Sequence, residues 1–302
     1  MNTPLEVWRF RDGKAGHERQ TAGLLAALGV QRRLRVQEIA VSSLPAPWWH
    51  FLCGSWPLPT PNEMPALLVG AGRACQWPLL AARRRFGGRT IYCMKPALPT
   101  GCFDLCLIPR HDGAKRSTHV EPTCGVLNDV QQHTGARQAH TLLLIGGPSR
   151  HHQWDEPALL KQVASIIFDS PTRAFIIADS RRTPASTRTA LATFVQPGVV
   201  YQSSATSPAD WLPRALSTAH AAWVTADSVS MIFEALTAGL GVGLLEVPAR
   251  KVDRIEALAA SLIAQRQVTS FKGWLQGQPL RAAEPPLAEA ARCAALILAR
   301  WP

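Results

Sequence analysis

A single carboxylate in an apolar setting is the most chemically suggestive feature of the chain. Glu234 stands among Met231, Ile232, Phe233, Ala235 and Leu236, in a stretch from Trp223 to Pro248 that reads as strand, turn, helix, turn, strand. Apolar strands on both sides would bury that helix against a sheet. An ionised group there needs a partner, because an unpaired buried charge costs several kcal/mol. A nucleotide ribose, with two adjacent hydroxyl donors, is such a partner. Upstream, Asp227, Ser228 and Ser230 mark a helix start whose N–H groups and positive dipole end suit a diphosphate. The plainer alternative makes Asp227 and Ser228 ordinary caps and Glu234 an exposed or salt-bridged helix residue.

Three glycine loops could also meet a ligand: Asp12-Gly13-Lys14-Ala15-Gly16-His17, Gly70-Ala71-Gly72-Arg73 and Gly146-Gly147-Pro148-Ser149-Arg150. None ends in the Gly-Lys-Ser/Thr of a P-loop. Gly70-x-Gly72 is a weak dinucleotide fingerprint, since Cys75 occupies the third glycine position. A tight structural turn explains each loop as well as a ligand does. No metal is expected. There is no Asp-x-Asp pair, and Cys102 and Cys106 would lie ~13 Å apart along a strand at about 3.3 Å per residue, too far to share an ion.

The elements that must position these residues alternate along the chain. Leu5 to Phe10 reads as a strand, a helix follows from about His17 to Leu28, and strands return at Leu34 to Ala40 and Ala66 to Gly70. A helix through Arg73 to Phe86 precedes strands at Thr90 to Met94 and Asp104 to Pro109. Periodicity fades between Pro109 and His140, the region of the expected domain boundary. It restarts with strands at Thr141 to Gly147, Ala174 to Ser180, Ala221 to Thr225 and Val242 to Val247, interleaved with helices at Glu156 to Phe168, Pro184 to Phe194, Pro208 to Ser217 and Val229 to Ala238. Leu287 to Trp301 forms a last Ala-rich helix. Such alternation predicts an α/β protein of two doubly wound, Rossmann-like domains, with ligands at the carboxyl ends of strands.

A chain of 302 residues has room for two domains, and 47% hydrophobic with 18% charged residues excludes general disorder. No apolar run approaches the roughly 18 residues of a membrane span, and Met1 to Lys14 lacks a signal-peptide core, which predicts a cytoplasmic protein. Seven scattered cysteines are expected to be reduced. The net charge of +11 points to an anionic partner, and the arginines show no nucleic-acid motif. An acidic membrane face carrying a cell-surface precursor would also attract the protein, as a peripheral contact on the cytoplasmic side. The run Pro47-Trp48-Trp49-His50-Phe51-Leu52 is unusually aromatic. Ordinary packing is the first explanation for it, and a lipid- or acceptor-facing patch the second.

Five motifs in order resemble a known family. DGKAGHERQ (Asp12 to Gln20), GAGR (Gly70 to Arg73), IGGPSRH (Ile145 to His151), DSRRTP (Asp179 to Pro184) and ADSVSMIFEALTAG (Ala226 to Gly239) resemble the bacterial relatives of the ELM-type mitochondrial fission protein, a group also described as glycosyltransferases of the outer core of surface polysaccharides. The arrangement is similar to the GT-B transferase that adds N-acetylglucosamine to the lipid-linked peptidoglycan precursor. That resemblance implies an acceptor-side domain over 1–137, a nucleotide-sugar domain over 138–284 facing it across a cleft, and a helix over 285–302 crossing back to the first. It places Glu234 at the donor ribose and His17 facing the reaction cleft. Gly241 departs from the proline common there, and Phe233 from the usual small residue.

Transfer of a sugar from a nucleoside diphosphate, UDP-linked on this view, needs charge at the departing diphosphate and a base for the acceptor hydroxyl. The diphosphate is expected against the helix starts after Gly146-Gly147 and after Asp227, with Arg150 or Arg181 assisting. His17 is the candidate base and Asp12 its reserve, with Gly13, Gly16, Gly72 and Arg73 in the acceptor-side loops. The acceptor is a cell-envelope glycan or lipid-linked molecule; neither a metal nor another cofactor is required. A nucleotide-sugar epimerase or reductase fits poorly, because the Gly-x-Gly-x-x-Gly spacing is missing and neither Tyr92 nor Tyr201 has lysine four residues on. A non-catalytic, membrane-organising scaffold is the serious alternative, since the plant relative is known through organelle fission.

Overall fold

A computed structural model describes residues 3–45, 47–59, 63–132, 137–170, 172–208, 210–250 and 254–301. The chain divides into two compact units, Met1–Asp129 with Ala288–Pro302, and Val130–Leu287.

The first unit opens with β1 (Leu5–Arg11), α1 (Ala15–Gln31), β2 (Leu34–Ala40), α2 (Pro47–Cys53), β3 (Leu67–Gly70), α3 (Gln76–Phe86), β4 (Arg89–Cys93), β5 (Leu105–Pro109) and β6 (Val120–Thr123). Its six strands are parallel in the order β2-β1-β3-β4-β5-β6. Successive residues go to opposite faces. Val7, Val69, Ile91 and Leu105 join one core with Leu24, Leu25 and Leu28 of α1, whereas Trp8, Leu68, Tyr92 and Cys106 join another with Leu79 and Leu80 of α3. Two elements escaped the periodicity. β6 contains Pro122, which an edge strand tolerates because it lacks a neighbour on one side. The aromatic run forms α2, too short to show a helical repeat.

The second unit contains β7 (His140–Leu144), α4 (Glu156–Asp169), β8 (Ala174–Ala178), α5 (Ala185–Ala192), β9 (Val199–Gln202), α6 (Trp211–Thr218), β10 (Ala221–Thr225), α7 (Val229–Thr237), β11 (Gly241–Leu245), α8 (Arg254–Ala264), β12 (Thr269–Ser270) and α9 (Phe271–Leu275). Its parallel order is β12-β11-β10-β7-β8-β9. Leu143, Ile145, Phe175, Ile177 and Trp223 pack against Leu159, Val163, Ile166 and Ile167 of α4. The edge strand β9 was not expected. Its Val199 is buried but Val200 is exposed, so it lacks the continuous apolar run of the central strands.

The last helix, α10 (Glu289–Arg300), belongs to the first unit, where Cys293, Ala294 and Ile297 enter the core that holds α1. Arg292 pins it by donating to Glu121 Oε1 at 2.6 Å, to Glu289 Oε2 at 2.8 Å and to the Pro122 carbonyl at 3.0 Å. Among the described residues no helix is long and apolar enough to cross a membrane.

Candidate functional site

Each sheet has one place where the strand order reverses. In the first unit it lies between β1 and β3, and in the second between β7 and β10. Crossovers leave these switch points in opposite directions, which opens a crevice at the carboxyl ends of the strands. The candidate residues gather at these two places.

After β1, the chain turns at Gly13, whose φ of +76° suits glycine, and enters α1 at Ala15. Asp12 is nearly sealed, with a side chain 2% exposed. Its Oδ1 accepts from the Lys14 N–H at 3.1 Å and its Oδ2 lies 2.7 Å from His17 Nδ1. A carboxylate only accepts, so Nδ1 carries the proton and Nε2 is left to exchange one. Both oxygens of Asp12, the expected reserve base, are thus engaged within the protein, one of them by His17. The Gly13 N–H donates to Glu18 Oε1, so this loop does not present that donor to a ligand. Gly16 lies within α1, and a Cβ there would meet nothing.

Gly72, after β3, backs the pair. Its φ is +88°, and a Cβ would stand 2.3 Å from His17 Nδ1 and 2.4 Å from Asp12 Oδ2. Its N–H donates to Met94 Sδ at 3.1 Å, and Met94 itself holds a φ of +151°, a strained value for a side-chain-bearing residue. Arg73, the next residue, is exposed. Cys75 lies behind them, its thiol pushed up to about 12 by burial first and by the Asp12 charge second, so it packs and does not attack.

The second switch point departs from expectation. Gly146 and Gly147 do not lead into a helix: α4 begins at Glu156, capped by Asp155 accepting from the Ala158 N–H. The Gly146 N–H donates to Thr225 Oγ1 at 2.8 Å and the Gly147 N–H to Asp227 Oδ2 at 3.1 Å. These two donors, expected to face a diphosphate, are engaged by protein oxygens. The loop is closed further by Arg182, which donates to Asp227 Oδ2 at 2.7 Å and to the Gly147 carbonyl at 2.9 Å. Thr183 Oγ1 donates to the carbonyls of Ile145 and Gly146. The glycines are required by packing, since a Cβ on Gly146 would meet Asp227 and one on Gly147 the Arg182 carbonyl.

Arg182, itself 44% exposed, is thus the arginine tied to this loop by hydrogen bonds, and the expected Arg150 and Arg181 are exposed as well. Two adjacent arginines cannot be told apart by spacing alone. Asp179 of the same motif accepts from Tyr201 Oη and from the Ser204 N–H at 2.7 Å, tying the ends of β8 and β9 together. Burial first and that bond second push the Tyr201 hydroxyl up from its usual range.

Glu234 sits on α7, 4% exposed, among the buried Ile232, Phe233, Ala235 and Leu236. The N-cap of α7 is Ser228, which makes no side-chain cap bond, and Asp227 before it turns toward Gly147 and Arg182, so the first N–H groups of α7 keep the donor capacity a helix start leaves over. Ser228 is half-buried and Ser230 exposed beside them. A cavity of about 500 Å³ opens at the ends of β10 and β11, lined by Ala226, Glu246, Pro248, His152 and Gln162; Glu234 is not in its wall. Gln162 holds the cavity floor by exchanging two hydrogen bonds with the Glu246 backbone, at 2.8 and 2.9 Å.

Against this geometry, the family profile described as mitochondrial fission ELM1 matches residues 15–301. An uncharacterized protein of Rickettsia prowazekii (strain Madrid E) is 21% identical, over 78% of this chain and 81% of its own. The UDP-GlcNAc 2-epimerase of Neisseria meningitidis, solved bound to UDP-GlcNAc, is similar in structure with a TM-score of 0.54 at 11% identity, covering 99% of both chains. That of Methanocaldococcus jannaschii has a TM-score of 0.51 at 9% identity, covering 98% of this chain and 100% of its own. At such identities the likeness shows a shared fold, with two parallel α/β domains.

Proposed function

The chain belongs to the mitochondrial fission ELM1 family, and on that premise we propose that it transfers a sugar from a UDP-linked donor to a cell-envelope glycan or lipid-linked acceptor. The Asp12–His17 pair carries the proposal. A buried carboxylate 2.7 Å from Nδ1 holds one imidazole tautomer and stabilises the imidazolium that forms when Nε2 takes a proton.

On this scheme the acceptor hydroxyl loses its proton to His17 Nε2 as its oxygen bonds to the anomeric carbon. The bond from that carbon to the β-phosphate oxygen breaks, and the nucleoside diphosphate leaves. The uncapped start of α7, with Ser228 and Ser230, meets the charge on the departing phosphates. Glu234 accepts from the ribose hydroxyls. Arg150 or Arg181, both exposed, supplies the positive charge, since Arg182 is paired with Asp227. No metal enters the scheme, because fixed N–H dipoles and an arginine do that work. A UDP-sugar ligand is supported by the fold neighbour solved with UDP-GlcNAc.

Calorimetric titration with nucleoside diphosphates and their sugars tests the donor half. Glu234→Ala is expected to weaken binding about tenfold or more, the loss of a hydrogen bond to a charged group. Epimerases share this fold, so product analysis decides the reaction: a donor sugar returned epimerised, with no acceptor modified, refutes transfer. One observation favours the scaffold reading, namely that the Gly146-Gly147 loop satisfies its own donors. Failure to bind any nucleotide would favour it.

A further inference from the structure

The aromatic run expected to be packed away is largely outside. On α2, Trp48 is 51% exposed, Trp49 53% and Leu52 56%, while Trp77 in the first turn of α3 is 36% exposed. Such side chains are costly to leave in water when they cluster. They are also held in place. Phe51, on the inner side of α2, packs into the core of the first unit and lies 5.4 Å from the Trp77 ring, and Arg84 sits over Phe51 at 5.5 Å. The helix is therefore anchored from beneath and presents two adjacent indoles, 6.0 Å apart, outward.

The sequence that forms this patch is predominantly basic. From Ile39 to Phe103 the chain carries Arg73, Arg83, Arg84, Arg85, Arg89 and Lys95 but a single acid, Glu63, which is taken by Arg35 at 2.5 Å. Arg83 and Arg89 are engaged by Asp104, whereas Arg84 and Arg85 are exposed at the end of α3. Between the helices lies a cavity of about 400 Å³ walled by Phe51, Trp77, Leu80 and Leu98, with Arg83 and Arg84 at its edge. Indoles favour the boundary between headgroups and acyl chains, and exposed arginines favour anionic headgroups.

We propose that α2 and α3 form a docking surface for an anionic lipid bilayer. Trp48, Trp49 and Leu52 enter the interface, Arg84 and Arg85 meet lipid phosphates, and the apolar cavity receives the end of an acyl chain. The surface stands independently of the transferase reaction, although Trp77 follows closely on the Gly70–Arg73 loop that backs His17, where a lipid-linked acceptor would be wanted.

Co-sedimentation of the full chain with vesicles of phosphatidylcholine, with and without phosphatidylglycerol, tests this with no nucleotide present. Binding is expected only with phosphatidylglycerol, weakening as salt rises. Trp48→Ser with Trp49→Ser should abolish most of it, and Arg84→Ala with Arg85→Ala should lower it about 25-fold, at about fivefold per arginine. Wild-type protein gives a second readout: alkylation of the exposed Cys53, at the end of α2, should slow on anionic vesicles, while Cys75, Cys93, Cys106 and Cys293 are buried throughout. Equal binding to neutral vesicles, no binding, unchanged Cys53 labelling, or self-association lost in the tryptophan variant would each overturn the proposal.

Discussion

The Arg182 guanidinium and the Asp227 carboxylate meet at 2.7 Å, the carboxylate wholly buried and the arginine 44% exposed. Forty-five residues apart in sequence, they join the loops that follow β8 and β10 and enclose the glycines after β7 between them. The same acid lies one residue before Ser228, the N-cap of α7, which makes no side-chain cap bond.

Because Asp227 would remain buried, Arg182→Ala should destabilise the protein by about 1–3 kcal/mol, discounted from a fully buried pair because the arginine is partly in water. Asp227→Asn should cost less, and the double variant less than the sum. Urea unfolding of the four proteins measures the coupling, and additivity would show that the pair is not energetically linked.

Gly72→Ala should cost about 1–3 kcal/mol from its φ of +88° alone, and should push His17 from Asp12 because a Cβ would lie 2.3 Å from Nδ1. Imidazole resonances of His17 should shift. An unmoved spectrum with intact stability would mean the loop relaxes freely.

On the proposed scheme, in which Asp12 orients the base without holding the donor, Asp12→Asn should lower kcat by about 10²- to 10⁴-fold with little change in KM. His17→Ala should lose as much, and the two losses should not add. A loss confined to KM would place the pair in binding.

Acid should act on the two units in sequence. Burial lowers His140 from its ordinary 6.5, so its contribution is present above that value and is lost as pH falls through the folded-state value. Burial alone would raise Glu289, but Arg292 and the Cys124 N–H outweigh it and hold the carboxyl below 4.5. Its contribution is present above 4.5 and lost below. Burial likewise opposes, and the Thr90 N–H and hydroxyl with Arg83 overcome it, at Asp104, held below 3.8. Melting curves of wild type and His140→Gln should diverge in pH dependence just below 6.5, and Glu289→Gln should flatten the later acid loss. Identical profiles would remove both groups from the acid response.

Much of the fold is legible in residue order. Strands buried on both faces, such as Leu67–Gly70 and Ala221–Thr225, are short apolar runs whatever surrounds them, and the helices between them force parallel pairing. The burial of Glu234 follows from its neighbours in the same way. Edge strands such as β6 and β9 are paired on one side only, so their sequences carry less of that signal.

The sites depended on what periodicity does not record. Apolar spacing reports which residues leave water, but not which loop a carboxylate 80 residues away will reach. Sheet order places β7 beside β10, and only then does Asp227 take the Gly147 N–H and Arg182 become the arginine at the loop. The chain alone determined two doubly wound units and a buried acid on α7. The tertiary structure decided that Asp12 Oδ2 and His17 Nδ1 meet at 2.7 Å, and that the tryptophans of α2 face outward, because hydrogen-bond geometry and exposure are set by neighbours distant in sequence.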